Sequence, residues 1–209
     1  MKRKTLLITI KSILDIFTSY EFIDVDNLPA QGGVILALNH MSYLDTPLLL
    51  TNPIRKDLIG LVTTKYKTNR FVSWFTDTAE GIWINRDAAD FTAIRSASKA
   101  LKKGLAVGIA PEGTRSKNGQ LQKGKPGLVM LAVKTGAPIV PVGITGTESA
   151  FSDLKHFRRP KLSARFGKPF IIPPFEQGSR SEDIKKWTHE LMLRITSLLP
   201  KSYHGVYKS

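Results

Sequence analysis

The side chains best suited to chemistry fall at three places: Asn39-His40 through Asp45, Asn85-Arg86, and Pro111-Glu112-Gly113-Thr114-Arg115-Ser116. A histidine bonded to a carboxylate is held in one tautomer, its imidazolium form is stabilised, and near neutral pH it accepts a hydroxyl proton. On a continuous helix the offset between His40 and Asp45 would separate them by roughly 140°. They meet only if His40 stands in a turn and Asp45 in the helix after it, and Asn39, Ser42 and Pro47 suit such a passage. The same pair also suits a structural histidine at a helix start. Ser42 reads either as a nucleophile or as a turn or cap residue, and no G-x-S-x-G turn surrounds it. No third histidine or cysteine stands at ligand spacing, which argues against a metal pair.

The second and third places have the makings of a phosphate grip. Arg115 offers a planar, permanently charged fork, Gly113 permits close backbone approach, and Thr114 and Ser116 add hydroxyls. Glu112 would orient an arginine or bond substrate hydroxyls. Arg86, closing a strand, would point into the same rim, and two arginines at neighbouring strand ends fit a dianionic phosphomonoester. Lys123 and Lys125 add positive field just beyond. Taken singly, an arginine after a strand is commonly solvated, and Gly-Thr is ordinary turn chemistry. No G-x-x-x-x-G-K-[ST] occurs, so nucleotide phosphoryl transfer has no support.

Such groups need a scaffold. Apolar strand candidates recur at 33–38, 58–62, 82–85, 105–110, 139–144 and 163–166. Helical patterns lie between them at 44–51, 69–76, 88–103 and 125–134, and a last amphipathic helix spans 181–199 before Pro200. The alternation predicts one α/β sandwich around a mixed, largely parallel sheet, with ligands gathering where strands end and helices begin. No repeat, low-complexity tract or linker divides it.

Composition narrows the partners. The chain of 209 residues has no cysteine, which removes disulfides, thiolate metal sites and thiol nucleophiles and leaves cytoplasm as the plain reading. Its net charge of +14 calls for an anionic partner: nucleic acid, an acidic lipid surface, or phosphorylated substrates and carriers. No zinc, RRM-like or other nucleic-acid signature is present, although a non-catalytic basic module binding lipid or nucleic acid remains the competing class. No apolar run approaches the ~20 residues of a membrane span. Near the N-terminus, Lys2, Arg3 and Lys4 precede Leu6, Leu7, Ile8 and Ile10, but Lys11 and Asp15 follow without a small-residue cleavage site, unlike a signal peptide. At helical spacing Leu6, Ile10, Ile13, Leu14 and Phe17 share a face, which suits a helix lying in a membrane interface or one packed on its own domain. The expected division is an N-terminal membrane-associated helix over 1–20 and a catalytic domain over 21–209. A second basic cluster, Lys155, Arg158, Arg159, Lys161 and Arg165, reads as part of a membrane-facing surface or as a solvated loop.

Taken together these segments are recognisable. Asn39-His40-Met41-Ser42-Tyr43-Leu44-Asp45 resembles the N-H-x-S-x-x-D box of the glycerolipid acyltransferases, the lysophosphatidate acyltransferase family. Glu112-Gly113-Thr114-Arg115-Ser116 resembles their E-G-T-R-S box, Ile84-Asn85-Arg86 the end of the second box, and Pro138-Ile139-Val140-Pro141-Val142 the fourth. The order matches over about half the chain, although Glu80 stands where the second box often carries glycine, with Gly81 after it. The resemblance implies an α/β acyltransferase that moves a fatty acyl group from an acyl-carrier-protein or coenzyme A thioester to the free hydroxyl of lysophosphatidate, or of another lysophospholipid or lipid alcohol. It implies His40 as general base with Asp45 as its partner. Arg86, Glu112, Gly113, Thr114 and Arg115 become the acceptor-phosphate site, and 138–142 part of the acyl side or the site wall. It calls for no bound cofactor or metal, and it places the protein peripherally on the cytoplasmic face of a membrane rich in anionic lipid.

Overall fold

Strand β2 (Val34–Leu38) is apolar at every position and fully buried, the signature of a strand covered on both faces. Its pleat divides the interior. Val34, Leu36 and Leu38 enter one core, while Ile35 and Ala37 enter the other. The computed structural model describes residues 1–85, 91–175 and 180–208, and everything below concerns those residues.

The helices and strands follow in the order α1 (Arg3–Phe17), β1 (Ser19–Ile23), β2, α2 (Asp45–Leu50), β3 (Ile59–Thr63), α3 (Arg70–Thr78), β4 (Ile82–Ile84), α4 (Phe91–Lys102), β5 (Ala106–Ile109), α5 (Gly127–Thr135), β6 (Ile139–Thr145), α6 (Ala150–Lys155), β7 (Lys161–Phe166) and α7 (Arg180–Thr196). The seven strands form one sheet in the order β1-β7-β6-β2-β5-β3-β4. Every pairing is parallel except β6 with β7. Leu6, Ile10 and Leu14 of α1 and Leu48 to Leu50 of α2 pack on one face. Ala97 and Leu101 of α4, Val129 and Ala132 of α5 and Leu191 and Ile195 of α7 cover the other. The result is the expected α/β sandwich with a mixed, mostly parallel sheet.

Local chemistry fixes the boundaries. Asn69 caps α3 by accepting from the backbone N–H of Phe71 and Val72, both at 3.1 Å. Gly136 ends α5 in the left-handed conformation, φ 66°, with its N–H on Ala132 O. Glu80 also adopts a left-handed φ of 59°, in the place where glycine was anticipated. Two differences from the sequence reading concern the N-terminal segment. The N-terminal helix stops at Phe17, and Ser19 and Tyr20 already belong to β1, which pairs with β7 at the sheet edge. The face read on α1 is divided: Leu6, Ile10 and Leu14 are buried against the sheet, whereas Ile13 and Phe17 are exposed with Ile8 and Ile16.

Candidate active site

The parallel pairing of β2 with β5, Ala37 opposite Ile109, brings the loops after both strands out side by side at their C-terminal ends. The first loop begins with Asn39, whose buried amide accepts from Ile144 N at 2.7 Å and donates to Ile144 O at 2.8 Å. This side chain continues the β2–β6 ladder by one step and lets the backbone turn at His40. Asp45 is the first residue of α2. It reaches back so that Oδ2 lies 2.7 Å from His40 Nδ1 and also accepts from the N–H groups of Met41 and Ser42, at 2.8 and 2.9 Å. Oδ1 accepts from Thr147 Oγ1 at 2.5 Å.

The side chain of Asp45 is fully buried, and that of His40 is 20% exposed. A carboxylate that already accepts from two backbone N–H groups is an acceptor toward the ring as well, which assigns the proton to Nδ1 and leaves Nε2 with its lone pair. The pair is therefore arranged to take a proton at Nε2, with the imidazolium balanced by Asp45. Ser42, 7% exposed, does not share this arrangement: its Oγ accepts from Leu44 N at 3.3 Å within the turn.

The second loop, after β5, is bonded to the first in both directions. Glu112 Oε1 accepts from His40 N at 3.0 Å, and Ser116 N donates to His40 O at 2.8 Å. Glu112 Oε2 takes the N–H of Gln122 at 2.8 Å. The Glu112 side chain is 1% exposed, and burial pushes its carboxyl up to about 7, against the two N–H bonds that favour its charged form. This corrects the expectation that Glu112 contacts substrate: both oxygens are turned inward onto backbone, and they brace the His40 turn.

Gly113 has φ 70°, and a Cβ there would lie 3.0–3.2 Å from Lys125 Cδ, Cε and Nζ, so glycine lets the lysine stem cross the loop. Thr114 is exposed. Arg115 lies with its guanidinium 3.5 Å from the centroid of the Tyr43 ring and donates to Tyr66 Oη at 2.8 Å. Neither tyrosine carried a signal in the sequence as part of a phosphate grip. Arg86 lies outside the described residues; Asn85 before it lines the cavity described next.

His40, Gly113 and Lys125 sit at the polar end of a cavity of about 360 Å³. Its walls are aliphatic: Leu49 and Leu50 of α2, Ile59 and Leu61 of β3, Ile94 of α4, and Leu128 and Leu131 of α5. Gly60 and Gly108 open it at the sheet, and no atom lies within 4 Å of the position a Gly60 Cβ would take. Residues 138–142, expected at the acyl side or the site wall, do not line it. Ile139, Val140 and Val142 are fully buried in β6, so this segment holds the sheet from within.

The profile of the family described as Acyltransferase matches residues 19–145. A 1-acyl-sn-glycerol-3-phosphate acyltransferase of Bacillus subtilis (strain 168) is 26% identical over 190 residues, 90% of this chain and 92% of that protein. One of Cocos nucifera is 43% identical over 117 residues, 55% of this chain and 37% of that protein. One of Borreliella burgdorferi is 30% identical over 128 residues, and the matched part is 51% of its length. The crystal structure of the 1-acyl-sn-glycerophosphate (LPA) acyltransferase PlsC from Thermotoga maritima superposes with a TM-score of 0.70 at 25% identity, covering 94% of this chain and 78% of that one.

Proposed function

Because the chain belongs to the acyltransferase family, we propose that it transfers a fatty acyl group from a thioester to the free glycerol hydroxyl of lysophosphatidate, forming phosphatidate in phospholipid synthesis. The observation that carries this reading is the placement of a carboxylate-oriented imidazole at the polar mouth of an aliphatic cavity. An acyl chain fits the cavity by burial of its methylenes, each contributing about 0.8 kcal/mol. Its thioester carbonyl then stands at the end lined by His40.

The step needs no protein nucleophile. His40 Nε2 takes the proton of the acceptor hydroxyl as its oxygen attacks the carbonyl carbon. A C–O bond forms, the tetrahedral intermediate collapses with loss of the C–S bond, and the imidazolium returns the proton to the departing thiolate. Asp45 stabilises the imidazolium between those two transfers. The ammonium of Lys125, which lines the same polar end, supplies positive charge where the carbonyl oxygen becomes anionic. Arg115, with Gly113 and Thr114 beside it, holds the acceptor phosphate. Arg86, outside the described residues, is proposed as a second cation for it, although β3 lies between β4, which precedes it, and β5, so the two arginines do not follow adjacent strands. Glu112 acts as a positioning residue through the His40 backbone. The donor thiol belongs to acyl carrier protein or coenzyme A, both anionic partners for a chain of net charge +14.

The acceptor is an amphiphile, so the enzyme works at a membrane surface, on its cytoplasmic face. Among the described residues, no helix is long and apolar enough to cross a membrane. Residues 1–20 make a peripheral contact through the outward Ile8, Ile13, Ile16 and Phe17. An acceptor panel with mass-tagged acyl-coenzyme A and acyl-carrier-protein donors tests the proposal. Tagged phosphatidate should be the dominant product, and preferential acylation of a different lysophospholipid or lipid alcohol would replace lysophosphatidate as the acceptor.

A further inference from the structure

Helix α3 presents the wrong face for a helix that is merely packed on the sheet. At helical spacing its inward side is Val72, Phe75, Thr76 and Ala79, of which Phe75 and Ala79 join a core and Thr76 is buried. The outward side holds Arg70, Phe71 and Trp74 within roughly a third of a turn. Phe71 is 69% exposed and Trp74 41% exposed, and their rings lie 5.8 Å apart. The turn before the helix adds Lys65 and Lys67, both exposed like Arg70. The one carboxylate on this outward side, Asp77, already accepts from Trp83 Nε1 at 2.9 Å and from Ser73 Oγ at 3.4 Å.

This patch is tied to the site. Tyr66, between the two lysines, accepts the hydrogen bond from Arg115. At its other end, Arg3 of α1 donates to Ala79 O at the end of α3 and to Leu58 O at 2.5 Å. The start of α1 is thereby tied to the end of α3.

We propose that Phe71 and Trp74, flanked by Lys65, Lys67 and Arg70, form a docking surface for an anionic lipid bilayer that brings Arg115 to the level of the headgroups. Exposed aromatic rings beside basic side chains match a bilayer interface, where the rings enter the headgroup layer and the cations meet lipid phosphates. Charge complementarity favours this occupant over a second copy of a chain that carries net charge +14. The inference rests on the proposed lysophosphatidate reaction, because an acceptor resident in a bilayer must be taken from its surface.

The test uses the full chain, with Phe71→Ser/Trp74→Ser and Lys65→Glu/Lys67→Glu as variants and α1 unchanged. Flotation with vesicles of phosphatidylcholine alone or mixed with phosphatidylglycerol measures binding. The wild type should float with the anionic vesicles. The aromatic variant should lose at least tenfold in partitioning, and the charge-reversal variant, which removes no packed side chain, should lose the preference for anionic lipid. Turnover of vesicle-embedded lysophosphatidate should fall about tenfold in both. Turnover of a short-chain, monomeric acceptor should stay within twofold of the wild type. Undiminished flotation of both variants overturns the docking surface. So do equal losses on both acceptors, or a dimer in sedimentation velocity that the aromatic variant abolishes. Wild-type inactivity on both acceptors with intact flotation would instead overturn the proposed reaction and leave the docking surface standing.

Discussion

His40 meets the Glu112 carboxylate through its backbone rather than its ring: the His40 N–H donates to Glu112 Oε1 at 3.0 Å, with the ring itself turned to Asp45. The acid of one sequence box therefore holds the chain direction of the other. Its second oxygen draws in Gln122, and the His40 carbonyl receives Ser116 N–H. The His40 turn is clamped from both sides, which fixes the backbone of a residue that lines the cavity.

Burial raises the Glu112 carboxyl to about 7, and this has a consequence for stability. An acid whose native pKa lies above its unfolded value binds more protons when folded, so stability is highest below the unfolded value and declines as pH rises toward the native one. The window runs from about 4.5 to about 7. Thermal melts should show wild-type stability falling across it relative to Glu112→Gln, which is less stable at low pH because its amide N–H₂ opposes a backbone N–H. Parallel pH profiles would contradict the assignment.

Thr147 Oγ1 donates to Asp45 Oδ1 inside the fold. Thr147→Val leaves that oxygen without its donor, at about 1–3 kcal/mol. The melting temperature should fall, kcat should drop about tenfold as Asp45 loses its fixed orientation, and the acceptor KM should hardly move. A variant that loses stability with unchanged kcat would confine Thr147 to a structural part.

Arg115 is held by Tyr43 and Tyr66. Arg115→Ala should reduce kcat/KM for lysophosphatidate by roughly 10- to 100-fold, as expected for a charged hydrogen bond worth about 1.5–3 kcal/mol. Tyr66→Phe should raise the acceptor KM several-fold. The donor KM should stay constant in both. Unchanged acceptor kinetics in Arg115→Ala would remove the phosphate grip.

Gly60 faces open space in the cavity wall. Gly60→Leu should occupy the channel and shift donor preference toward shorter acyl chains, read by competition among thioesters of different length. A length profile unaltered by the substitution would place the acyl chain elsewhere.

The sandwich was readable because β2, β5 and β6 are short apolar runs between amphipathic helices, and the His40–Asp45 pairing because only a turn lets that spacing meet. The remainder lay in long-range contacts. Thr147 bonds Asp45 across 102 positions and Tyr66 meets Arg115 across 49, and nothing in a lone threonine or tyrosine announces such a partner. Glu112 reads in the sequence as orienting an arginine or bonding substrate hydroxyls, and by resemblance as part of the acceptor site; its burial onto His40 N and Gln122 N arises only when β2 and β5 pair. Strand β1 was hidden because the chain leaves α1 with a single residue between them, and its pairing partner β7 lies far along the sequence.

The central claim is that the imidazole at position 40 takes the acceptor proton. Single-turnover acyl transfer by His40→Ala, with lysophosphatidate binding measured on the same protein, tests it most directly. The rate should fall at least ~10³-fold, within the 10²- to 10⁴-fold range of general base catalysis, while acceptor affinity stays within about twofold. Transfer at the wild-type rate would contradict the account.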